Sequence, residues 1–156
     1  MIKKTILLLS IILTFCAQLT YAQELRASLS HYSTDEGLSS NAISDIIQDN
    51  YGYTRISTWN GLCRFDGYNF YNYPTGNRSG IPFLHNRILN ITADPEGNIW
   101  MRMYDGRIFV LNRKRDMITN VFKGAKDPDE FKTDHAIKVS SSGYAYTIIK
   151  GKGVYS

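Results

Sequence analysis

Cysteine is almost missing from this chain. Cys16 and Cys63 are the only two in 156 residues, and Cys16 sits in the amino-terminal apolar run. No internal disulfide framework can be built from what remains. The setting of the second, Gly61-Leu62-Cys63-Arg64-Phe65, is strand-like and brings neither a base nor metal-ligand spacing to the thiol. Cys63 therefore reads as a small buried apolar residue, not a nucleophile. Histidine is scarce too: His31, His85 and His135 fall in separate segments with no metal spacing. Catalytic signatures are absent. There is no phosphate loop, no His-Glu-x-x-His, no Gly-x-Ser-x-Gly, and no phosphoacceptor histidine motif or nucleotide box of a kinase. Asp94-Pro95-Glu96-Gly97 offers one acidic pair where calcium takes about six or more oxygens, so it reads as a turn. No catalytic residue, metal or cofactor is expected.

An apolar run long enough to span a bilayer is also lacking at the amino terminus. The uncharged stretch Ile6 to Phe15 is well short of the roughly 20 residues a spanning helix needs. Lys3 and Lys4 precede it and Thr20-Tyr21-Ala22 follows, the order of a secretory signal peptide over 1–22, cut after Ala22. The competing reading is a retained membrane anchor; a lipid on Cys16 is disfavoured by Phe15 in the position where a small residue belongs. Cleavage removes Lys3 and Lys4 and lowers the formal net charge from +4 to +2. The basic balance is partly the export signal, and no nucleic-acid contact is expected from this segment.

What the chain does have is a repeat. Ile43-Ser44-Asp45-Ile46-Ile47-Gln48-Asp49-Asn50-Tyr51-Gly52 answers, 45 positions on, to Ile88-Leu89-Asn90-Ile91-Thr92-Ala93-Asp94-Pro95-Glu96-Gly97. Trp59-Asn60-Gly61 then meets Tyr104-Asp105-Gly106, and Arg64-Phe65 meets Phe109-Val110. A weaker third copy runs from His135-Ala136-Ile137 through Ser142-Gly143-Tyr144-Ala145-Tyr146 to Gly153-Val154-Tyr155. A period in the forties built of short strand-like runs between Gly, Asp and Asn is that of β-propeller blades.

The first unit, 43–73, predicts strands over Ile43–Gln48, Tyr53–Thr58, Leu62–Phe65 and Tyr68–Tyr73, with Asn-Gly and Asp-Gly hairpin chemistry between them. The second, 88–122, predicts Ile88–Thr92, Asn98–Met103, Arg107–Leu111 and Ile118–Phe122. Adjacent apolar residues such as Ile46-Ile47 and Ile108-Phe109-Val110-Leu111 suit strands buried on both faces. Segments 74–87 and 123–133 read as connectors, 134–156 as the start of a third blade, and 23–42 as a lead-in with a closing strand over Leu25 to Ser33. The fold class is all-β: blades of four antiparallel strands in an incomplete propeller. Asn77-Arg78-Ser79 and Asn90-Ile91-Thr92 match glycosylation acceptors but are short enough to arise by chance.

The run Tyr32-Ser33-Thr34-Asp35-Glu36-Gly37-Leu38-Ser39-Ser40-Asn41, with Thr58-Trp59-Asn60-Gly61-Leu62-Cys63-Arg64-Phe65-Asp66-Gly67-Tyr68-Asn69-Phe70 after it, resembles the start of the periplasmic sensors of hybrid two-component regulators, which are built from two-component regulator propeller repeats. The resemblance runs from about Leu25 to Ser156. It implies an exported sensor of two consecutive propellers, then an immunoglobulin-like domain, a membrane helix and a cytoplasmic histidine kinase with receiver and DNA-binding domains. Many such systems, typical of gut Bacteroidetes, sense oligosaccharides and switch on polysaccharide-degradation genes. The implied partners are an oligosaccharide ligand, the remaining blades and membrane-anchored kinase of the receptor, and a second copy in a homodimer.

Two departures stand out. The second strand of the family usually carries Trp where this chain has Trp100, but Arg55 and Tyr146 stand at the corresponding places in the first and third units. A guanidinium cannot fill an apolar slot without a partner, so blade 1 is either repacked around Arg55 or uses it functionally. Length is the other: about two and a half blades cannot close a ring, since propellers take about four to eight. The sequence reads as the amino-terminal fragment of a longer receptor. A secreted propeller enzyme, such as a carbohydrate lyase or hydrolase, and an adhesion propeller are the alternatives, each resting on fold analogy.

In a propeller the segments entering each first strand and the turns joining second to third strands emerge on one face. That places Asn41, Trp59 and Asn60 there from the first unit and Asn86, Arg87, Tyr104 and Asp105 from the second. Flat aromatics beside amide, guanidinium and carboxylate groups suit a sugar. The plainer reading is that Asn60-Gly61 and Asp105-Gly106 are turn residues and Trp59 packs between blades.

Overall fold

The computed structural model describes residues 3–6, 27–73 and 86–156, which fall in two units, 1–31 and 32–156. In the first, residues 3–6 are helical and 27–31 have no regular structure. Most of the expected signal peptide, including its cleavage site, lies outside the described residues. No helix among the described residues is long and apolar enough to cross a membrane.

The second unit is all-β. β1 (Ile43–Gln48), β2 (Thr54–Thr58), β3 (Gly61–Phe65) and β4 (Phe70–Asn72) form one antiparallel sheet in chain order. β5 (Ile88–Ala93), β6 (Ile99–Met103), β7 (Ile108–Asn112) and β8 (Met117–Asn120) form the next. β9 (Lys138–Val139), β10 (Ala145–Ile149) and β11 (Gly153–Tyr155) form a three-stranded sheet in the order β11-β10-β9. The architecture is that of an incomplete propeller.

One turn, built three times, explains why the first hairpins form where they do. Gly52 N–H donates to the Asp49 carbonyl at 2.9 Å, Gly97 to Asp94 at 2.9 Å and Gly143 to Ser140 at 3.0 Å. The three glycines have φ of +83°, +83° and +90°, a region open to glycine without steric cost. The residue opening each turn also folds its side chain back: Asp49 accepts from Tyr53 N–H at 3.0 Å, Asp94 from Asn98 at 2.9 Å and Ser140 from Tyr144 at 3.1 Å.

Both complete sheets carry a β-bulge at the same repeat position, between Ile43 and Asp45 and between Ile88 and Asn90. In the first sheet the bulge frees polar groups to reach the next. Ser44 Oγ donates to the Ile88 carbonyl, and the Asp45 carboxylate accepts from Ile91 N–H at 3.0 Å. Asn50 Nδ2 donates to the Asp94 and Pro95 carbonyls at 3.3 Å each. Between these polar seams lies the main core, where Leu62 and Tyr73 of the first sheet meet Ile88, Ile91, Ile99, Met101 and Met103 of the second. On the other face of the second sheet Ile108 packs with Ile137 and Ile149, with Trp100 and Phe122 at the margin. The second sheet is thus covered on both faces, which is why its strands do not alternate cleanly between apolar and polar.

The far face of the first sheet carries Ile56 and a fully buried Cys63, covered by Leu38. The Ser39 hydroxyl lies 2.9 Å from Cys63 Sγ. The Tyr32 ring meets Phe65 at a tilt and Phe70 edge-on, with centroids at 4.8 and 5.8 Å. Between Tyr32 and Leu38 the chain makes a short 3-10 turn, Thr34–Glu36, closed by Ser33 and Glu36 capping each other. The run 32–41 therefore covers the far face of blade 1.

Several expectations shift. The described part of the closing strand expected over Leu25–Ser33 has no ladder partner and takes no strand; an unpaired strand would leave its backbone polar groups unsatisfied. The fourth strand of blade 1 begins at Phe70, not Tyr68, because the Asp66 carboxylate accepts from Tyr68 and Asn69 N–H at 2.9 and 2.7 Å and holds both in the turn. Those two bonds, Asn69's first, pull the Asp66 carboxyl below the usual range. The repeat also slips by one residue in its third strand. Arg55 pairs with Arg64, while Trp100 pairs with Val110 and not with Phe109, because blade 2 takes three residues, 104–106, to make the turn that blade 1 makes with two. Of connector 74–87 only Asn86 and Arg87 are described. Connector 123–133 contains a short 3-10 turn, Pro128–Glu130, capped by Asp127. Its Asp129 carboxyl is held low, first by the hydrogen bond from Arg107.

Candidate ligand-binding site

The turns that sequence reading placed on one face do meet. Trp59 N–H donates to the Ala42 carbonyl at 3.0 Å, and 45 residues on Tyr104 N–H donates to the Arg87 carbonyl at 2.9 Å. Each blade thereby ties its β2–β3 type turn to the segment entering its own first strand. Because the blades are adjacent, Arg87 at the start of blade 2 reaches back to the turn of blade 1. Its guanidinium carbon lies 4.4 Å from the Trp59 ring and 5.6 Å from the Tyr104 ring. Such cation–π contacts are worth about 0.5–1 kcal/mol each at exposed positions. Asn86 Nδ2 donates to Asn60 Oδ1 at 3.4 Å, and Asn60 Nδ2 donates to the Ser39 carbonyl at 3.2 Å. The rings stay open to solvent, Trp59 at 51% and Tyr104 at 60% exposure.

Two of the seven predicted residues stand apart from this group. Asn41 spends its amide on the capping turn, accepting from Thr34 N–H at 2.9 Å. Asp105 folds over its own turn, accepting from Arg107 N–H at 3.1 Å. The assembled set is therefore Trp59, Asn60, Asn86, Arg87 and Tyr104: two half-open aromatic rings bridged by a guanidinium, with two amides at the edge. Chemically it offers stacking surface together with directional donors and acceptors.

The fold is similar to that of solved extracellular domains. The extracellular domain of the hybrid two component system BT3049 from B. thetaiotaomicron matches with a TM-score of 0.64 and 21% identity, over 80% of this chain and 18% of that one. The extracellular domain of the one component system BT4673 from B. thetaiotaomicron matches with a TM-score of 0.57 and 20% identity, over 83% of this chain and 18% of that one. The chain thus spans less than a fifth of the length of these neighbours. No family model matches the chain, and no curated protein does.

At the opposite end of the strands the structure shows what sequence reading left open. Arg55 is 3% exposed, and its Nε donates to Asp49 Oδ2 at 2.7 Å while Nη1 donates to the Tyr73 hydroxyl at 2.9 Å. In blade 2, Trp100 Nε1 donates to Asp94 Oδ2 at 3.1 Å. Arg55 and Trp100 do the same job for the same carboxylate of the repeated turn. The third unit replaces both partners, with Ser140 and Tyr146. Burial pushes the Tyr73 phenol up from its usual range, against the pull of the Arg55 hydrogen bond and charge.

Among the described residues no cluster of His, Cys, Asp and Glu fits a metal ion. His135 pairs with neighbouring Asp134 at 3.2 Å, and His85 lies outside the described residues. Asp94 to Gly97 is a turn, as expected, and Asn90 accepts from Arg102 Nη2 at 2.8 Å. Asn77-Arg78-Ser79 falls outside the described residues.

Proposed function

We propose that this chain is the amino-terminal part of the ligand-sensing propeller of an exported receptor, a hybrid two-component sensor histidine kinase that responds to an oligosaccharide and signals to genes for polysaccharide use. The observation that carries the reading is the inter-blade cluster at which Arg87 lies between Trp59 and Tyr104. It sits on the face formed by strand-entering segments and second turns, and it joins aromatic surface to amide and guanidinium donors. The signal-peptide order at the amino terminus and the fold shared with two extracellular domains support export. Chain organisation beyond these blades, the kinase and the homodimer follow from the family resemblance. The described residues hold no constellation that favours the enzyme reading over this one.

The test is calorimetry on the receptor that carries this chain, against a panel of neutral oligosaccharides: xylo-, manno-, malto- and fructo-oligosaccharides. Replacing both Trp59 and Tyr104 with Ala is expected to weaken the bound sugar at least tenfold, as loss of a stacking anchor does. Unchanged affinity in a double variant that keeps its circular dichroism spectrum would leave the cluster a structural clasp between blades.

A further inference from the structure

A cleft opens at the other end of the strands, between the β1–β2 turn of blade 1 and the β7–β8 turn of blade 2. It encloses about 390 Å³ and is lined by Tyr51, Tyr53, Arg64, Tyr73, Arg113 and Asp116, with Arg55 at its base. That volume lies within the range of small-molecule sites. The Arg113 guanidinium carbon lies over the Tyr51 ring, 3.6 Å from its centroid. Arg64 lies between Tyr53 and Tyr71, at 4.9 and 5.1 Å. Gly97 makes the first stack possible, since a Cβ there would come within 2.5 Å of the Tyr51 ring and 3.0 Å of Arg113 Cδ.

Positive charge outweighs negative in the lining of this cleft, where Asp116 is the one carboxylate beside Arg55, Arg64 and Arg113, and Asp66 acts on Arg64 from its own turn. Arg55 is neutralised by Asp49. Arg64 and Arg113 form no ion pair with any described residue. Arg64 stands directly across the ladder from Arg55, an arrangement that costs stability between like charges. Exposed Lys114 and Arg115 follow Arg113 on the same turn, against the one carboxylate of Asp116. The fold does not require this charge: the ladder pair equivalent to Arg55 and Arg64 in blade 2 is Trp100 and Val110. A guanidinium held over an aromatic ring makes no hydrogen bond to it and keeps N–H donors for an oxyanion, which arginine grips in pairs of hydrogen bonds.

We infer that this cleft binds the carboxylate, sulfate or phosphate group of a small ligand between Arg64 and Arg113, with tyrosine hydroxyls completing the shell. The site is separate from the Trp59–Arg87–Tyr104 cluster and does not depend on the sugar reading of that cluster. The experiment is titration of the full chain with inorganic phosphate, inorganic sulfate and trigalacturonate, with maltotriose as the uncharged control. It is followed by calorimetry and by the arginine Nε–Hε resonances. Saturable binding of at least one anion is expected, with shifts at Arg64 and Arg113 and none caused by maltotriose. Arg64→Gln and Arg113→Gln each weaken it at least tenfold, and Trp59→Ala leaves it within twofold. Trigalacturonate binding at least tenfold tighter than the inorganic ions identifies an acidic sugar as the source, and equal affinities identify a free oxyanion. No saturable shift at either arginine with any anion, or undiminished binding in the Arg64→Gln, Arg113→Gln double variant, would overturn the inference.

Discussion

Arg55 shows how a residue that breaks its repeat can keep the repeat's chemistry. The turn carboxylate needs an N–H donor six positions on, and an indole or a guanidinium supplies it, at 3.1 Å in blade 2 and 2.7 Å in blade 1. The departure was legible in the sequence, and of the two readings left open it is local repacking that the contacts describe. Its partner was harder to see: Asp49 and Asp94 keep the carboxylate while the donor changes from Arg55 to Trp100, and only the third unit, with Ser140 and Tyr146, changes both positions. Single-residue patterning does not reveal such a coupled swap. Removing one member of a buried pair strands the other charge and costs about 3–5 kcal/mol. Arg55→Ala should therefore lower stability by about that amount. Arg55→Trp, which restores a donor to Asp49, should cost markedly less, and urea unfolding of the two variants side by side checks the order.

At the scale of elements, the eight strands of the first two blades follow the sequence reading closely, because each is bounded by a turn whose Asp, Asn and Gly chemistry is local. What was not legible depended on contacts across blades. The bulges at Ser44 and Leu89 leave no composition signal. The one-residue slip of β7 arises from a turn longer by a single residue, which a fixed 45-residue register conceals. The cleft at Arg64 and Arg113 joins positions from two blades that no local pattern connects. Five of the seven candidate residues lie together because these loops share one end of the strands; Asn41 instead bonds Thr34 of the capping turn, and Asp105 bonds within its own turn. The bulge makes its own prediction. Asp45 supplies the acceptor for Ile91 N–H, a charge-assisted bond worth about 1.5–3 kcal/mol. Asp45→Ala should loosen β5 from β1, so the Ile91 amide should exchange with deuterium about 10- to 100-fold faster while the β6–β7 amides keep their protection.

The unit 32–156 holds three sheets, each needing a neighbour. Blade 2 has one on either side and holds most of the fully buried side chains, whereas the outer blades show apolar residues to solvent, with Ile46 at 56% and Val154 at 71% exposure. Repeat proteins of this kind draw their stability from interfaces between units. The central claim is that these blades belong to a longer membrane-anchored sensor kinase, and the most direct measurement is the identity of the native gene product. Antibodies against 43–122 should capture from membranes a protein whose tryptic peptides continue into further propeller repeats, a membrane helix and a histidine kinase. Capture of a protein that continues into a hydrolase or lyase domain, or of one no longer than these 156 residues, would contradict it.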